Sequence, residues 1–471
     1  MRLLAATAAV LLCLQHALAQ GYLCAEGGGT GRGPWAAEMY GWMAAKGGNG
    51  HVVLLGAVEL DATDQPDPRE AAFVKAGAKS AKSLVITERN ADTQETYDAI
   101  TAASIIFIRG GSQSRYVQMW RGTKTEAAIR EVFKRGGVVG GTSAGCAILG
   151  ELSYDAVNGS LHPDEIVKDA RHPDLTLTKG YLGFAPGVLF DTHFGERARL
   201  PRLMAMLAHA REVHKADVLG VGMDARTALC VSPDGTAEVK GEGVAVLLEL
   251  SPSSRIEIVK DRPPLVSFVF ITIAPAGAKL DLKTRQFITA REPTPARTGG
   301  WSITSTEIEV PFTAAPQPAP QGDAPDPAKR GSPEWTRVAT MGGGPTVWVV
   351  GNPYSDARPV MERINTISCE RQVAVMAPPG TQLSFLDTHI NIAVRPGATA
   401  ASSVILDGAH ALEAFAPGSL KAASLHRGLV HLLPPGWGVD LVSGQAVPAP
   451  LPIPPKVDHS TGLSPESPKP R

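Results

Sequence analysis

The sequence predicts an α/β fold, a mostly parallel sheet with helices on both faces, followed by a smaller β-rich C-terminal region. Short apolar runs alternate with helical patterns through the first half of the chain, as in strand–helix–strand units. His51–Leu55, Ser83–Thr87 and Ser104–Ile108 are the runs concerned, and the third is continuously apolar, as expected of a strand buried on both faces. Ligands of such sheets bind at the carboxyl ends of the strands.

Two helices are predicted between these strands. Asp92 and Glu95 are spaced as in a capping box, which predicts a helix over Thr93–Ala102. Thr125 begins a second predicted helix, and Gly136 ends it.

Ser143 is the strongest candidate for a catalytic group. It lies in the sequence GTSAG, directly after the apolar run Val138–Gly140. Small neighbours are required where a strand turns sharply into a helix and presents a nucleophilic hydroxyl. The N–H groups of Ala144 and of Gly111, which follows another predicted strand, could then form an oxyanion hole. The alternative is that Gly110 and Gly111 make only a βα turn.

His193 is the candidate base for this serine. It lies between aromatic residues in the sequence FDTHF, where an imidazole is shielded and oriented for proton transfer. Arg197, Arg199 and Arg202 follow and could bind carboxylates. The alternative for the histidine alone is a buried core residue, and the alternative for the arginines alone is a solvent-exposed helix face.

Five segments, in this order and spacing, resemble the cyanophycinase-like serine exopeptidases, relatives of aspartyl dipeptidase. The resemblance covers about residues 21–285 and implies a fold similar to class I glutamine amidotransferases, with a serine where those have a cysteine. The segments are GGG at 27–29, IRGGSQ at 108–113, GGTSAG at 140–145, DTHF at 191–194 and GVGMD at 220–224.

The resemblance implies roles for particular residues. Ser143 becomes the nucleophile and His193 its base, with Gly111 and Ala144 as oxyanion donors. Substrate binding is assigned to a further set, which consists of Gln113, Asp191, Arg197, Arg199 and Arg202.

Three positions depart from the family pattern. Ser112 and Thr192 replace an Asp and a Gln that are usual near the substrate, and Ala225 stands where the family often places the glutamate of its triad. Asp224 is the candidate replacement, although consecutive residues of an extended segment point to opposite sides. Three acidic residues after the nucleophile are further candidates for the third member of the triad: Asp155, Asp164 and Glu165. The site could also be a Ser-His dyad without an acid.

The chain is predicted to be secreted or periplasmic. Residues 1–19 have the charged start, short apolar core and small-residue end of a signal peptide, with cleavage near Ala19. No later segment is long enough to span a membrane. The formal net charge of -1 gives no global field that favours nucleic acid or anionic membranes.

Neither a cofactor nor a metal is expected. Cys24, Cys146, Cys230 and Cys369 remain after signal cleavage, widely spaced and without a CxxC pair. Cys146 and Cys230 lie in small or apolar surroundings that favour buried thiols, although one disulfide is open in an oxidising compartment.

The domain prediction follows proline content and apolar runs. Prolines concentrate in two segments that cannot form a packed core and separate the regions that can. The predicted units are a hydrolase domain at 20–295, a Pro-rich linker at 296–334, a β-rich domain at 335–447 and a Pro-rich, disordered tail at 448–471.

A short pattern recurs in the β-rich domain. Proline, glycine, aspartate and leucine at 275, 277, 281 and 282 occur again 159 residues later, at 434, 436, 440 and 441. A duplicated β element explains the recurrence, and chance similarity between two β–turn–β segments explains it almost as well.

The sequence is consistent with two functions. The first is a secreted serine exopeptidase or isopeptidase that cleaves aspartyl or cyanophycin-like peptides through an acyl-enzyme on Ser143. The second is a catalytically impaired hydrolase-fold binding protein, suggested by Ala225. The partner in either case is a peptide or isopeptide. The family resemblance also implies a homodimer, an interface that the C-terminal region could block or replace.

Overall fold

The structure, a computed structural model, describes most of the first 288 residues and a set of strands beyond them. The described residues are 21–29, 31–57, 67–195, 197, 199–288, 308–311, 335–339, 347–350, 372–376, 382–386, 391–394, 402–407, 425–434, 436–440 and 445–448. The predicted signal peptide, and most of the predicted linker and tail, lie outside this part of the chain.

The described part of residues 21–288 contains fifteen strands. They are β1 (Tyr22–Glu26), β2 (His51–Gly56), β3 (Ser80–Val85), β4 (Ile105–Ile108), β5 (Val138–Thr142), β6 (Gly150–Tyr154), β7 (Leu177–Lys179), β8 (Ala185–Asp191), β9 (Leu219–Met223), β10 (Thr227–Val231), β11 (Thr236–Gly241), β12 (Val244–Glu257), β13 (Leu265–Pro275), β14 (Lys279–Asp281) and β15 (Gln286–Phe287).

Eight helices are described in the same part of the chain. They are α1 (Pro34–Lys46), α2 (Pro68–Lys75), α3 (Gln94–Thr101), α4 (Gln113–Trp120), α5 (Lys124–Lys134), α6 (Ala144–Ala147), α7 (Pro163–Ile166) and α8 (Leu200–Glu212).

The strands form two sheets rather than one. The first has the order β15-β14-β11-β10-β1-β5-β4-β2-β3, in which β3, β2, β4, β5 and β1 are parallel and the other four extend the sheet antiparallel. The second contains β13-β12-β9-β8-β6-β7, with β6, β8 and β9 parallel. The α/β class is therefore as predicted, and the second sheet is an addition to it.

Side-chain alternation along the parallel strands explains the layers. Ile105 and Phe107 of β4 pack with α1 and α2 on one face, whereas Ile106 and Ile108 pack with α3, α4 and α5 on the other. The second sheet shares this latter core, and α7 and α8 cover its opposite face. Both faces of the parallel strands are thus buried, as a continuous apolar run predicts.

Two predicted boundaries differ from the structure. The strand predicted at Ser83–Thr87 is β3, which begins and ends earlier. Thr93, not Asp92, is the N-cap of α3, because its side chain accepts the N–H of Thr96. Asp92 instead accepts the N–H of Lys124, the first residue of α5, so its carboxylate stabilises the start of the other predicted helix.

Cys146 and Cys230 are buried free thiols, as predicted, and so is Cys24. Cys24 and Cys230 are directly opposite on β1 and β10, with their Sγ atoms 3.8 Å apart. Within the described part of the chain, no helix has the length and apolar character needed to cross a membrane.

Ten further strands are described after residue 288. They are β16 (Ile308–Pro311), β17 (Trp335–Ala339), β18 (Val347–Val350), β19 (Gln372–Met376), β20 (Gln382–Leu386), β21 (Asn391–Val394), β22 (Ser402–Asp407), β23 (Leu425–Leu433), β24 (Trp437–Asp440) and β25 (Gln445–Pro448). β23 pairs with β13, so the second sheet continues into the C-terminal region. A third sheet has the order β16-β20-β21-β24-β25.

Candidate active site

Ser143 lies at the sharp bend between β5 and α6 that the sequence predicts. Its φ of 51° and ψ of -114° are strained for a residue with a side chain. The bend also requires small neighbours, because a Cβ on Gly141 would lie 2.5 Å from the carbonyl carbon of Gly145. The backbone N–H of Ser143 donates to the carbonyl oxygen of Glu26, which fixes the bend against the end of β1.

His193 reaches this serine from the end of β8. Its Nε2 lies 2.9 Å from Oγ of Ser143, within hydrogen-bond distance. Its own φ is 45°, and its backbone N–H donates to the carbonyl oxygen of Gly27. Gly28 packs directly on the imidazole, since a Cβ there would lie 2.2 Å from Cε1. The glycine-rich segment after β1 therefore shapes the position of the imidazole.

The electrostatic environment keeps His193 neutral. Burial, followed by the positive charges of Arg197 and Arg199, lowers the pKa of His193 from 6.5 to about 3. A neutral imidazole can accept a proton, whereas a charged one cannot. The histidine is therefore in its basic form at any pH well above 3.

Asp224 does not have the position expected of a triad acid. Its Oδ1 accepts the N–H of Gly195 and its Oδ2 accepts the N–H of Val244. The carboxylate therefore links the loop after His193 to the start of β12. Among the described residues, no carboxylate is hydrogen-bonded to Nδ1 of His193.

The other candidate acids bind nearer groups. The carboxylate of Asp155 accepts the hydroxyls of Thr176 and Thr178. Glu165 accepts the N–H of His162 in a capping box at the start of α7. The position of the Asp164 side chain lies outside what the structure describes.

A polar cavity of about 510 Å³ opens beside Ser143. Gly111, Gln113, Ala144, Arg197 and Arg199 line it, so the structure brings these five predicted site residues together. Ala144 is the first residue of α6, where a backbone N–H has no acceptor within the helix and faces outward from its N-terminus. The cavity is also lined by residues 156–160, a loop that the sequence did not identify.

Asp191 and Arg202, by contrast, do not line the cavity. Both are buried, and Arg202 donates from Nε and Nη2 to the two carboxylate oxygens of Asp191. Arg202 also donates to the carbonyl oxygen of Leu161 and lies over the ring of Tyr154, 4.9 Å from its centroid. Burial raises the pKa of Asp191, but Arg202 and Arg199 outweigh it and hold this pKa below the ordinary value. The two residues thus form a buried ion pair between β8 and α8, and their role in binding substrate stays a prediction.

Removing one partner of this pair should destabilise the protein strongly. Arg202→Ala leaves the Asp191 carboxylate buried with a single weaker ion pair to Arg199, at 3.6 Å. We expect a loss of about 3–5 kcal/mol in the free energy of unfolding, measured by urea denaturation. Lys179→Ala is the matched control, because Lys179 is 54% exposed in its ion pair with Glu151 and should change stability by less than about 1 kcal/mol. Equal effects of the two variants would contradict this role of the buried pair.

Glu26 is a site residue that the sequence analysis missed. It ends β1 fully buried, and its Oε1 accepts the hydroxyl of Thr142, the residue before the nucleophile. Oε2 has no hydrogen-bond partner among the described residues. Burial raises the pKa of Glu26 to about 7, against the opposing effects of Arg69 and of the Thr142 hydrogen bond. The available signal was an acidic residue at the end of an apolar strand, directly before three glycines.

Glu26→Gln should change the pH dependence of stability. The folded state keeps the Glu26 proton up to a pKa of about 7, whereas the unfolded chain releases it near its ordinary value of 4.5. Glu26 therefore favours the folded state below pH 4.5, and this contribution is lost as pH rises to 7, on the order of 3 kcal/mol. We expect the melting temperature of the wild type to fall relative to Glu26→Gln between pH 5 and 7.5. Parallel pH profiles would contradict the buried, protonated carboxyl.

One group of described residues has the spacing of metal ligands. Glu165, His172 and Asp174 place ligand atoms within 4.8 Å of one another. None of them lines the cavity beside Ser143. Glu165 is occupied by the helix cap, and Nδ1 of His172 accepts the N–H of Asp174. The group is separate from the candidate active site.

Part of the chain matches known proteins. Residues 68–238, which include Ser143 and His193, match the family model described as Peptidase family S51. The cyanophycinase of Geminocystis herdmanii is 28% identical over 253 residues, which cover 52% of this chain and 87% of the relative. That of Synechococcus elongatus is 30% identical over 220 residues, which cover 45% of this chain and 64% of the relative.

The protein has an α/β fold in which a serine and a histidine are in contact beside a polar cavity. Together with the matches to these relatives, this arrangement defines its class as a peptidase. Residues 68–238 match peptidase family S51, and the chain is similar to cyanophycinases over about half of its length. Among solved structures, a peptidase from an acI-B1 actinobacterium is similar at 18% identity and a TM-score of 0.40, covering 57% of this chain and 99% of that one.

Proposed function

We propose that the protein is a secreted serine-type exopeptidase or isopeptidase that hydrolyses aspartyl or cyanophycin-like peptides. The observation that carries the proposal is the 2.9 Å contact between Nε2 of His193 and Oγ of Ser143 at the edge of the polar cavity. Nucleophile and base at this distance are the arrangement that hydroxyl activation requires. The cyanophycinases among its relatives support the substrate class.

The proposed reaction has two halves. Oγ of Ser143 attacks the scissile carbonyl carbon while Nε2 of His193 takes the hydroxyl proton. The N–H groups of Gly111 and Ala144 stabilise the oxyanion that forms. Collapse of this intermediate breaks the C–N bond, His193 gives its proton to the leaving amine, and an acyl-enzyme remains. Water, deprotonated by the same imidazole, then releases the acid and restores the serine.

Arg197 and Arg199 support an acidic substrate. Both line the cavity, which places positive charge beside the nucleophile. Arg199 already donates to the carbonyl oxygen of Thr192, so it holds the cavity wall as well. A free carboxylate of an aspartyl peptide is the group that guanidinium ions bind best, by paired and charge-assisted hydrogen bonds.

A panel of peptides tests the function. Purified mature protein is incubated with aspartyl, β-aspartyl and cyanophycin-like peptides and with asparaginyl peptides of matched length. We expect cleavage of the acidic peptides, with Arg197→Ala raising KM for them by about tenfold or more, the worth of one charge-assisted contact. Ser143→Ala is the inactive control. Equal cleavage of acidic and amide peptides would contradict the substrate class and leave the hydrolase in place.

The location is part of the proposal. It rests on residues 1–19, whose sequence is typical of a signal peptide. Expression in a secreting host, followed by mass spectrometry of the exported protein, should give an N-terminus at Gln20. An intact Met1 on protein retained in the cytoplasm would contradict it.

A catalytically impaired binding protein is the second candidate. Ala225 stands at the usual acid position, and Asp224 binds backbone N–H groups instead of the imidazole. Loss of the acid costs about four orders of magnitude in a Ser-His-Asp triad. Micromolar peptide binding by calorimetry, with no turnover over days, would favour this candidate over the first.

A further inference from the structure

The C-terminal strands repeat the pairing pattern of the catalytic region. Strands β8 to β15 and strands β18 to β25 occur in the same order, and each of six pairings in the first set has a counterpart of the same sense in the second. The pairings are β8·β9 and β18·β19, both parallel, followed by the antiparallel β9·β12 and β19·β22, β12·β13 and β22·β23, β10·β11 and β20·β21, β11·β14 and β21·β24, and β14·β15 and β24·β25.

Three strand ends have the same spacing as the short sequence repeat. β8 ends at 191 and β18 at 350, β14 ends at 281 and β24 at 440, and β15 begins at 286 and β25 at 445, each 159 residues apart. Gly277 and Gly436, also 159 apart, have φ values of 86° and 80°, a left-handed conformation that favours glycine in both turns. Six shared pairings, with the offset of 159 kept at the first and last strands of the set, argue against the chance similarity that four matching residues left open.

The two sets meet through equivalent strands. β13 and β23 are antiparallel neighbours, and Phe270 is directly opposite Leu429, its own counterpart at the offset of 159. The order β19-β22-β23-β13-β12-β9 is therefore symmetric about this pair, as in a two-fold dimer of sheets. Val430 and Leu432 are fully buried against the core that contains Val266 and Val269.

The second set lacks the catalytic base. His193 lies two residues after the end of β8, and the residue two positions after the end of β18 is Asn352. An asparagine side chain cannot take a proton from a hydroxyl at neutral pH. The repeat therefore preserves the sheet and not the chemistry.

We propose that strands β18–β25 are a catalytically silent second copy of the β8–β15 unit, and that this copy occupies the edge of β13 on which a second chain would otherwise pair. β13 is long and apolar, and an uncovered edge of this kind pairs readily with another chain. With its own repeat on that edge, the mature chain is a monomer with internal two-fold symmetry, in place of the homodimer that the family resemblance implies.

A cysteine pair tests this arrangement in the full mature chain. Opposite residues of antiparallel strands have Cα atoms about 4.5–5.5 Å apart, within the range of a disulfide. Under mild oxidation, Phe270→Cys/Leu429→Cys should lose both new thiols and gain mobility on non-reducing gels, at the mass of one chain. The single variants Phe270→Cys and Leu429→Cys, which should keep their thiols, are the controls.

Light scattering of the unmodified mature chain provides a second measurement that does not depend on the variants. We expect the mass of a monomer across a hundredfold range of concentration. A homodimer, a disulfide between two chains, or new thiols that persist in the folded double variant would each overturn the proposal. None of these outcomes bears on Ser143, so the proposed function stands or fails separately.

Discussion

Ser143→Ala is expected to lower kcat for acidic peptides by about 10⁴–10⁶-fold, because no other hydroxyl occupies the bend between β5 and α6. The substitution removes the attacking atom and leaves the cavity, so KM should change little. Steady-state kinetics on the best peptide of the panel measures both constants.

Ser143→Gly separates the loss of the hydroxyl from the strain at this position. Both variants lack Oγ, but glycine adopts a φ of 51° without the steric cost that alanine keeps. We expect both to be inactive, with Ser143→Gly unfolding at a higher temperature than Ser143→Ala. Activity within tenfold of the wild type in either variant would rule out Ser143 as the nucleophile.

Gly28→Ala is expected to lower kcat by about 10²-fold or more, although Gly28 takes no part in the chemistry. The new Cβ would lie 2.2 Å from Cε1 and 2.6 Å from Nε2 of His193, so the imidazole must move. A displacement of about 1 Å from the reactive position can cost two orders of magnitude in rate. Since substrate contacts are unchanged, KM should be affected less than kcat.

Gly48→Ala is the matched control. Gly48 also has a positive φ, 65°, but an added Cβ there would meet nothing within 4 Å. It therefore tests an alanine at a positive φ without the contact with His193. We expect full activity in Gly48→Ala. If both glycine variants lose activity equally, the contact between Gly28 and His193 does not explain the effect.

Local sequence features predicted the central part of the site. Small residues around Ser143 predicted the tight bend, and an aromatic setting predicted an oriented His193; both depend on neighbours in sequence. The continuous apolar run at 104–108 likewise predicted a strand buried on both faces, which β4 is. His193, fifty positions from Ser143, was the candidate base from its aromatic setting, and the family resemblance implied the same pairing.

Contacts that depend on three-dimensional packing were not predictable from local patterns. An arginine three residues after another has the same appearance in sequence whether it faces a cavity, as Arg199 does, or a buried carboxylate, as Arg202 does. Glu26 gained its significance only when β1 paired with β5 and placed it opposite Thr142. The second sheet was missed because periodicity identifies strands and not their partners.

Labelling with a fluorophosphonate tests most directly that Ser143 is a nucleophile activated by His193. We expect one adduct per chain, located on Ser143 by peptide mass spectrometry. It should be absent in Ser143→Ala and form about 10³-fold or more slowly in His193→Ala. Because the pKa of His193 is lowered to about 3, the wild type should still react at pH 5. No adduct, or an adduct on another residue that persists in Ser143→Ala, would contradict this account of the site.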